Sequence, residues 1–569
     1  MPAHPTAQAA VAELTARLGD PDDADNPLGH AAILAADEDA EILTAGERLL
    51  DDTGLNAEYV PAALGGRFER LDRLIDVART VFRRDPTLGA GHGIGSFLAA
   101  VNIWSAGTPA QQKAVADLLL ANGKLAVTYN ELAHGNDLLA CETHARRSGD
   151  TLLLNGRKEP ITNAARAAAY VVFARTDPAP GQRSHSQLLV RPADVPPTTL
   201  RTLPRTATVG MRGLPLAGVE FTDCPLGDDA VVGAPGQGLQ TALTSFQVTR
   251  IALPAVLAGA LDTGLRLAVR HLAGRRLYGA SALRIPAVRR LLAGAYADLL
   301  LSETVTAVAA RGAHLTPGES SVHAAGAKYL VTGTLLGAFD DLATAMGAHG
   351  YLRAGDTAFF QKLLRDIRAA QVLHASRAAC LLTLMPQLPL LATRSWNRDR
   401  AAHAGLFRPA ETLPPLAWDR LKVTAKGHDH LTPALRDAAD GPAGDEVTRE
   451  AREWTGRLRT LADSCAALAP AELTPLAGTT AYDLAAHYAS VRAAAATLGT
   501  WQHGRGTTLP DERWWPLALL ARLPSSPRHR VTPLPDHLAE PAVEDLIARC
   551  TDDRPLGLAR GWAPPGGQP

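Results

Sequence analysis

At 569 residues the chain is too long for a single hydrophobic core, and its length predicts about three to four domains. Its 57 Lys+Arg against 58 Asp+Glu leave a formal net charge of -1, so nothing electrostatic points to a nucleic acid or an anionic membrane surface as partner. A 46% hydrophobic and 20% charged composition is ordinary for a globular protein. No uninterrupted apolar span reaches bilayer length and the first residues lack the regions of a secretory signal, so a cytoplasmic protein is expected.

Residues up to about Pro27 read as one helix with a mobile lead-in. Helical text follows over Ala40 to Leu50 and at Leu71, Leu74, Ile75, Ala78, Val81 and Phe82, whose three-and-four spacing is that of an amphipathic helix. The glycine-rich join Gly89-Ala90-Gly91-His92-Gly93-Ile94-Gly95 invites a phosphate-loop reading. No strand precedes it and no Lys-Ser/Thr follows, so close helix packing through small residues is the better reading.

The segment from Leu125 to Asn163 organises the chain. Leu125-Ala126-Val127 reads as a strand that ends in the polar loop Asn130-Glu131-Leu132-Ala133-His134-Gly135-Asn136-Asp137, followed by two strands around a Ser148-Gly149-Asp150 turn. Such a loop offers backbone N–H donors that could hold an anion or the edge of a cofactor ring; a plain β-hairpin with a polar connection is the alternative. More strands follow at Tyr170 to Phe173, Gln187 to Val190 and Val219 to Phe221, and helices resume from Leu239 to about Leu391.

Beyond Ala392 the text changes. Trp418, Trp454, Trp501, Trp514, Trp515 and Trp562 lie there among Pro-rich connections, with helical periods over Glu450 to Leu468 and Ala481 to Leu498. These tryptophans could stack on a ligand or partner, or fill the core of a small helical domain that ends in a disordered tail. The five cysteines, Cys141, Cys224, Cys380, Cys465 and Cys550, form no CxxC pair and read as reduced structural thiols, with no metal site indicated. Blocks of helix, strand and helix give an α+β architecture. The expected domains are an N-terminal helical domain (1–124), a middle β-barrel-like domain (125–238), a C-terminal helical bundle (239–391) and an additional helical extension (392–569).

Two motifs in the central segment resemble those of the acyl-CoA dehydrogenase family, whose middle domain carries a TEPxxGSD loop and then an NGxKxWITN strand. Here these are Asn130 to Asp137 and Asn155-Gly156-Arg157-Lys158-Glu159-Pro160-Ile161-Thr162-Asn163, in the family's order and at its separation. The resemblance covers roughly the first 390 residues and implies FAD as cofactor. By the resemblance Thr162 meets the flavin N5, and Arg275 and Tyr278, in an RxxFG-like segment, reach the pyrophosphate of a partner subunit's FAD. Gly347 and Gly350 form the turn beside the adenosine, Arg365-Asp366 matches an RD pair, and Ser376 stands where a threonine near the flavin is expected. A complete FAD site then needs at least a dimer, a homodimer or homotetramer.

The departures from the family are informative. Asn130 and Asn136 stand for Thr and Ser, each exchanging a hydroxyl for an amide, and Pro160 replaces the tryptophan that packs on the isoalloxazine. Pro286 stands where a glutamine is usual. The family's catalytic glutamate lies nine residues beyond the RD arginine, where this chain has His374. In a minority it lies on an earlier helix just before an arginine, where this chain has Thr249 followed by Arg250.

Neither place holds a carboxylate. His374 can be read as a substitute base, whose rate would rise with pH as the imidazole loses its proton, or as a neutral histidine in a helical core. The resemblance thus implies a flavoprotein oxidoreductase acting on an acyl or aminoacyl thioester, of CoA or a carrier protein, in specialised metabolism with non-standard proton chemistry. A flavin-dependent monooxygenase of the same fold and a degenerate, non-catalytic homologue serving as partner or scaffold are the rival readings.

Overall fold

The amphipathic stretch beginning at Leu71 forms helix α4, and its apolar face anchors the N-terminal region. The computed structural model describes residues 5–396, 398–504, 509–524 and 533–558; Trp562 and the tail expected to be disordered lie outside the described residues. The chain divides into two compact units, Met1–Thr249 and Arg250–Pro569.

The first unit opens with helices α1 (Ala7–Leu18), α2 (His30–Glu38), α3 (Thr44–Asp52), α4 (Leu71–Arg84), α5 (Pro86–Gly89), α6 (Gly95–Ala106) and α7 (Pro109–Leu120). Leu71, Leu74, Val77, Ala78, Val81 and Phe82 of α4 are buried, as the apolar spacing requires. Between α5 and α6 the chain makes a π-helical turn, Ala90–Ile94. A Cβ added at Gly89, Gly91 or Gly93 would stand 2.5, 2.6 and 2.3 Å from Phe82, Ile42 and Tyr59 respectively, so the glycines are there for close packing, as the sequence suggests.

The strands β1 (Lys124–Thr128), β2 (His144–Ser148), β3 (Thr151–Thr162), β4 (Ala167–Arg175), β5 (His185–Val190), β6 (Leu200–Thr202), β7 (Leu216–Leu226) and β8 (Val231–Val232) make one mixed sheet. Its order is β6-β7-β3-β2-β4-β5-β8, with β1 pairing β4 in parallel. The hairpin of β2 and β3 turns at Ser148 and Thr151, and β3 runs antiparallel to β7 with register shifts after Leu154 and after Lys158. Leu154, Val172, Leu188, Val190, Val219 and Cys224 are fully buried on one side of this sheet. Tyr129, Cys141, Phe173, Ala242 and Phe246 form a second apolar cluster.

Helix α8 (Gly238–Gly274) carries the chain from the first unit into the second. The second unit continues through β9 (Arg276–Leu277), β10 (Ala280–Ser281), α9 (Pro286–Leu315), α10 (Ser320–Met346), α11 (Ala358–Asp366), α12 (Arg377–Leu384) and α13 (Leu388–Leu391). Pro286 occupies the first turn of α9, where a missing N–H costs nothing, which gives this departure from the family a local reason. By length and mean composition α8 and α9 are each apolar enough to cross a membrane although neither is an uninterrupted apolar run; 89% and 83% of their apolar windows are buried inside the protein. The criterion of an unbroken run misses them because isolated polar residues such as Arg250 and Asp298 punctuate them, and an all-round apolar helix also suits the interior of a large bundle.

The segment after Ala392 adds α14 (Ala434–Ala439), α15 (Glu446–Ala466), α16 (Thr479–Gly504), α17 (Trp514–Ala521) and α18 (Asp536–Thr551). It packs on α9 and α10 through buried polar bonds as well as apolar surface. Arg522 binds Asp298 at 2.6 Å and Asp341 at 3.1 Å. Asp429 accepts from Trp396 Nε1, Tyr488 OH and Arg492, and Arg492 donates in turn to His323 Nδ1 at 2.7 Å. An arginine only donates, so His323 Nδ1 is the acceptor, and burial beside Arg492 holds this imidazole neutral, well below its ordinary pKa. Trp454, Trp501 and Trp515 are buried, which assigns these three to core filling.

Candidate active site

In the first unit the loop after β1 is wound around a buried ion pair. Glu131 sits 2.9 Å from Lys158 Nζ, and Lys158 is fully buried on β3. The same carboxylate accepts from the Thr143 hydroxyl at 2.7 Å, from Thr143 N at 3.1 Å and from Glu142 N at 2.8 Å. Burial would raise the Glu131 pKa, but the Glu142 backbone donor and Lys158 outweigh it and hold the carboxyl down at about 2. Lys158 also donates to Cys141 Sγ at 3.1 Å, while burial pushes that thiol up to about 11, so it stays protonated.

This arrangement decides between the two readings of the loop for several of its donors. The loop's N–H groups could have been left for a ligand, yet those of His134 and Gly135 bond the Glu131 carbonyl, that of Asp137 bonds the His134 carbonyl, and those of Glu142 and Thr143 bond the Glu131 carboxylate. A side chain eleven residues upstream supplies the acceptor, which pattern reading does not reveal. Asn130 and Asn136 are left on the exposed side of the loop. Asn130 lies against the Glu159-Pro160 segment: its carbonyl accepts from Glu159 N at 3.1 Å and its amide reaches the Pro160 carbonyl at 3.5 Å. Thr162 closes β3, partly exposed beside Asn163, whose left-handed backbone (φ 63°) and amide bond to the Gly91 carbonyl of the π-helical turn fix the strand end. Thr249 is fully buried and its hydroxyl donates to the Ser245 carbonyl one turn back, a backbone bond rather than a proton relay.

In the second unit the Arg275-Arg276-Leu277-Tyr278-Gly279 segment forms the β9/β10 hairpin. Tyr278 (φ 51°) and Gly279 (φ 78°) both take positive φ, the requirement of a type I′ turn, and Tyr278 is 97% exposed. Arg275 donates to the Met346 carbonyl at 3.2 Å, which brings its guanidinium beside the Gly347–Tyr351 turn at the end of α10. Gly347 has φ 60° and ψ −140°, a conformation left to glycine, and nothing lies within 4 Å of where its Cβ would be. Of the RD pair, Arg365 bonds Gln361 at 2.9 Å while Asp366 is buried against Lys362 at 2.6 Å.

His374 stands in the turn before α12. Burial first, then the charges of Lys328 and Arg250, push its imidazole well below the ordinary histidine value. An imidazolium beside two cations is disfavoured, so the His374 ring is held neutral. Arg250 is buried on α8 and donates to Thr383 at 2.9 Å. Ser376 caps α12, its hydroxyl accepting from Ala379 N. The structure thus brings His374 and Arg250 into one electrostatic cluster, with Arg275 and Gly347 together elsewhere in the same unit.

Lys328, which sequence reasoning missed, is the third member of the first of these. It is fully buried on α10, its Nζ donates to the Leu373 carbonyl at 2.7 Å, and burial presses its pKa down to about 8. The available signal was a single lysine inside the small and apolar run Ala324-Ala325-Gly326-Ala327-Lys328-Tyr329-Leu330-Val331.

Residues 126–224 match the model of the acyl-CoA dehydrogenase middle domain and residues 236–376 that of its C-terminal domain. The stretch 126–376 thus carries the middle and C-terminal domains of the acyl-CoA dehydrogenase family. A protein of Mycobacterium tuberculosis named a probable acyl-CoA dehydrogenase is 26% identical over 345 residues, 60% of this chain and 86% of the relative. The human mitochondrial short-chain specific acyl-CoA dehydrogenase is 30% identical over 263 residues, 46% of this chain and 63% of the relative.

Among solved structures, a Bacillus anthracis acyl-CoA dehydrogenase complexed with FAD superposes with a TM-score of 0.69 at 15% identity, covering 96% of this chain and 95% of that one. That coverage shows an acyl-CoA dehydrogenase fold extended by further C-terminal helices. The α+β expectation, with a helical region, a β region and a helical bundle, is the observed architecture.

Proposed function

We propose that this acyl-CoA dehydrogenase-like protein is an FAD-dependent oxidoreductase of acyl thioesters that handles the substrate's α-proton at a basic centre, with no carboxylate at either position, 374 or 249, where the family's glutamate would stand. The buried cluster of His374, Lys328 and Arg250 carries this reading, since His374 stands where the resemblance puts the family's glutamate and the two cations act on it from α10 and α8.

The donor set in each unit fits the flavin. Arg275, held beside the open Gly347 turn, offers a guanidinium fork to a pyrophosphate, and Tyr278 offers an exposed aromatic face. Asn130 and Thr162 offer an amide and a hydroxyl to the edge of a ring, while Pro160 gives it a smaller apolar surface than a tryptophan would. When bound, the flavin supplies the acceptor for the substrate's β-hydride.

The chain's own residues then decide the fate of the proton. His374, neutral at rest and a weak base in this setting, accepts the α-proton. The positive charges of Lys328 and Arg250 favour negative charge developing on a thioester as its α-proton leaves, an electrostatic contribution of the kind that often dominates enzymatic rate enhancement. An acyl group whose α-proton is already acidic suits such a centre better than a simple fatty acyl chain. Assembly as a homodimer or larger homo-oligomer belongs to the same reading, because Tyr278 points into solvent in the single chain.

The deciding experiment is anaerobic mixing of the yellow holoprotein with a panel of CoA-bound and carrier-bound acyl thioesters. Bleaching of the flavin by a thioester without O₂ supports the proposal. A flavin that resists every thioester but consumes O₂ after chemical reduction and forms an oxygenated product would replace it with monooxygenation, and a protein that binds no flavin would make it a non-catalytic homologue.

A further inference from the structure

Two cations, Lys328 of α10 and the turn's own Arg377, tie the turn that carries His374 to α10. Lys328 donates to the Leu373 carbonyl at 2.7 Å from a fully buried position on α10. At the turn's other end, Arg377 Nε donates to the Tyr329 carbonyl at 3.0 Å, and its guanidinium lies over the Tyr329 ring, 4.5 Å from the centroid. Gly333 makes the approach possible, since a Cβ there would stand 2.7 Å from an Arg377 guanidinium nitrogen. Successive residues of one helix, Lys328 and Tyr329, therefore grip both ends of a five-residue turn.

What lies between the grips is conformationally costly. His374 (φ 53°) and Ala375 (φ 90°) are consecutive non-glycine residues with positive φ. Such a pair persists only where the surroundings over-determine it, and it concentrates at functional sites. Ser376 then caps α12, so the turn sets the direction of the His374 side chain and the start of the next helix together.

We infer that Lys328 and Arg377 are positioning residues that hold the Leu373–Arg377 turn, and with it His374 and Ser376, in the conformation the reaction uses. The inference rests on the reading of this turn as the proton-handling site. Lys328 has a second consequence through its charge. The groups facing it are His374 from the turn, Arg250 from α8 and the Cys380 thiol from α12. Burial lowers its pKa to about 8, so the ammonium is present below that pH and lost above it. Positive potential at the turn should fade over the same interval.

Hydrogen–deuterium exchange on the holoprotein without substrate tests the clamp, and anaerobic bleaching against pH tests the charge. Lys328→Met, which keeps length and removes the donor, should speed exchange of the 372–376 amides by at least about tenfold and abolish the loss of bleaching near pH 8. Lys328→Arg should restore protection and carry the alkaline loss to higher pH. Gly333→Val, which crowds Arg377 and leaves Lys328 intact, should loosen the same amides while keeping the alkaline loss near pH 8. Wild-type exchange over 372–376 in both Lys328→Met and Gly333→Val would overturn the clamp, and an alkaline loss that Lys328→Met leaves in place would overturn the role of the charge. If no thioester bleaches the wild-type protein, the functional reading fails, and the exchange comparison still decides the clamp.

Discussion

Two lysines, Lys158 on β3 and Lys328 on α10, are equally buried and differ only in company. Lys158 faces the Glu131 carboxylate, which in turn gathers donors from Glu142 and Thr143 and closes the loop. Lys328 faces a backbone carbonyl, a histidine, an arginine and a thiol, and its pKa falls to about 8. A buried charge with a full set of partners builds structure. A buried charge without a carboxylate costs stability and leaves a group whose protonation changes near neutral pH, which is the property catalysis requires.

The largest expected effect follows from breaking the closed pair. Glu131→Gln strands a buried ammonium and should cost about 3–5 kcal/mol in denaturant unfolding, whereas Lys328→Met removes a charge that has no carboxylate to strand and should cost less than half as much. Equal losses in the two variants would erase the distinction between the lysines.

Acid titration should come next. The folded Glu131 pKa is depressed from 4.5 to about 2, so its contribution is complete above about pH 4.5 and is lost as pH falls toward 2. Lys328 works in the opposite range. Its folded pKa is lowered from 10.5 to about 8, so between those values the unfolded chain holds a proton the folded protein has released, and stability gains with rising pH. Subtracting the Lys328→Met curve from the wild-type curve of unfolding free energy against pH isolates that gain.

A smaller effect separates cofactor holding from fold. Arg275→Ala should weaken FAD retention by about 10- to 100-fold, the worth of a charge-assisted hydrogen bond, with little change in the melting of the first unit, as followed by flavin fluorescence on dilution. Smallest of all, Gly347→Ala should destabilise by about 1–2 kcal/mol through its backbone conformation alone, because its Cβ meets no neighbour.

Much of this was legible in the sequence because local patterns carry it. The strands at Tyr170 to Phe173 and Gln187 to Val190, the α4 periodicity and the glycine packing at Gly89 to Gly95 depend on neighbours a few residues away. The two middle-domain motifs gave the family. What escaped were relations across long separations. Glu131 reads as a polar loop residue until β3 places Lys158 beneath it, and Lys328 reads as an ordinary helical lysine until the turn 45 residues later lays Leu373 on its ammonium. The sequence singled out His374 only through the resemblance, and its neutrality depends on burial and on Lys328 and Arg250, which the fold alone brings near.

The most direct measurement is the rate of anaerobic flavin bleaching by an acyl thioester across about pH 5.5 to 9, compared between the wild type and Lys328→Met. The expected wild-type rate is level through the ordinary histidine range and falls through about pH 8, and the fall is absent from the variant. A rate that climbs through about pH 6.5, as an unperturbed imidazole base would give, or a flavin that no thioester bleaches at any pH, would contradict proton handling at this basic centre.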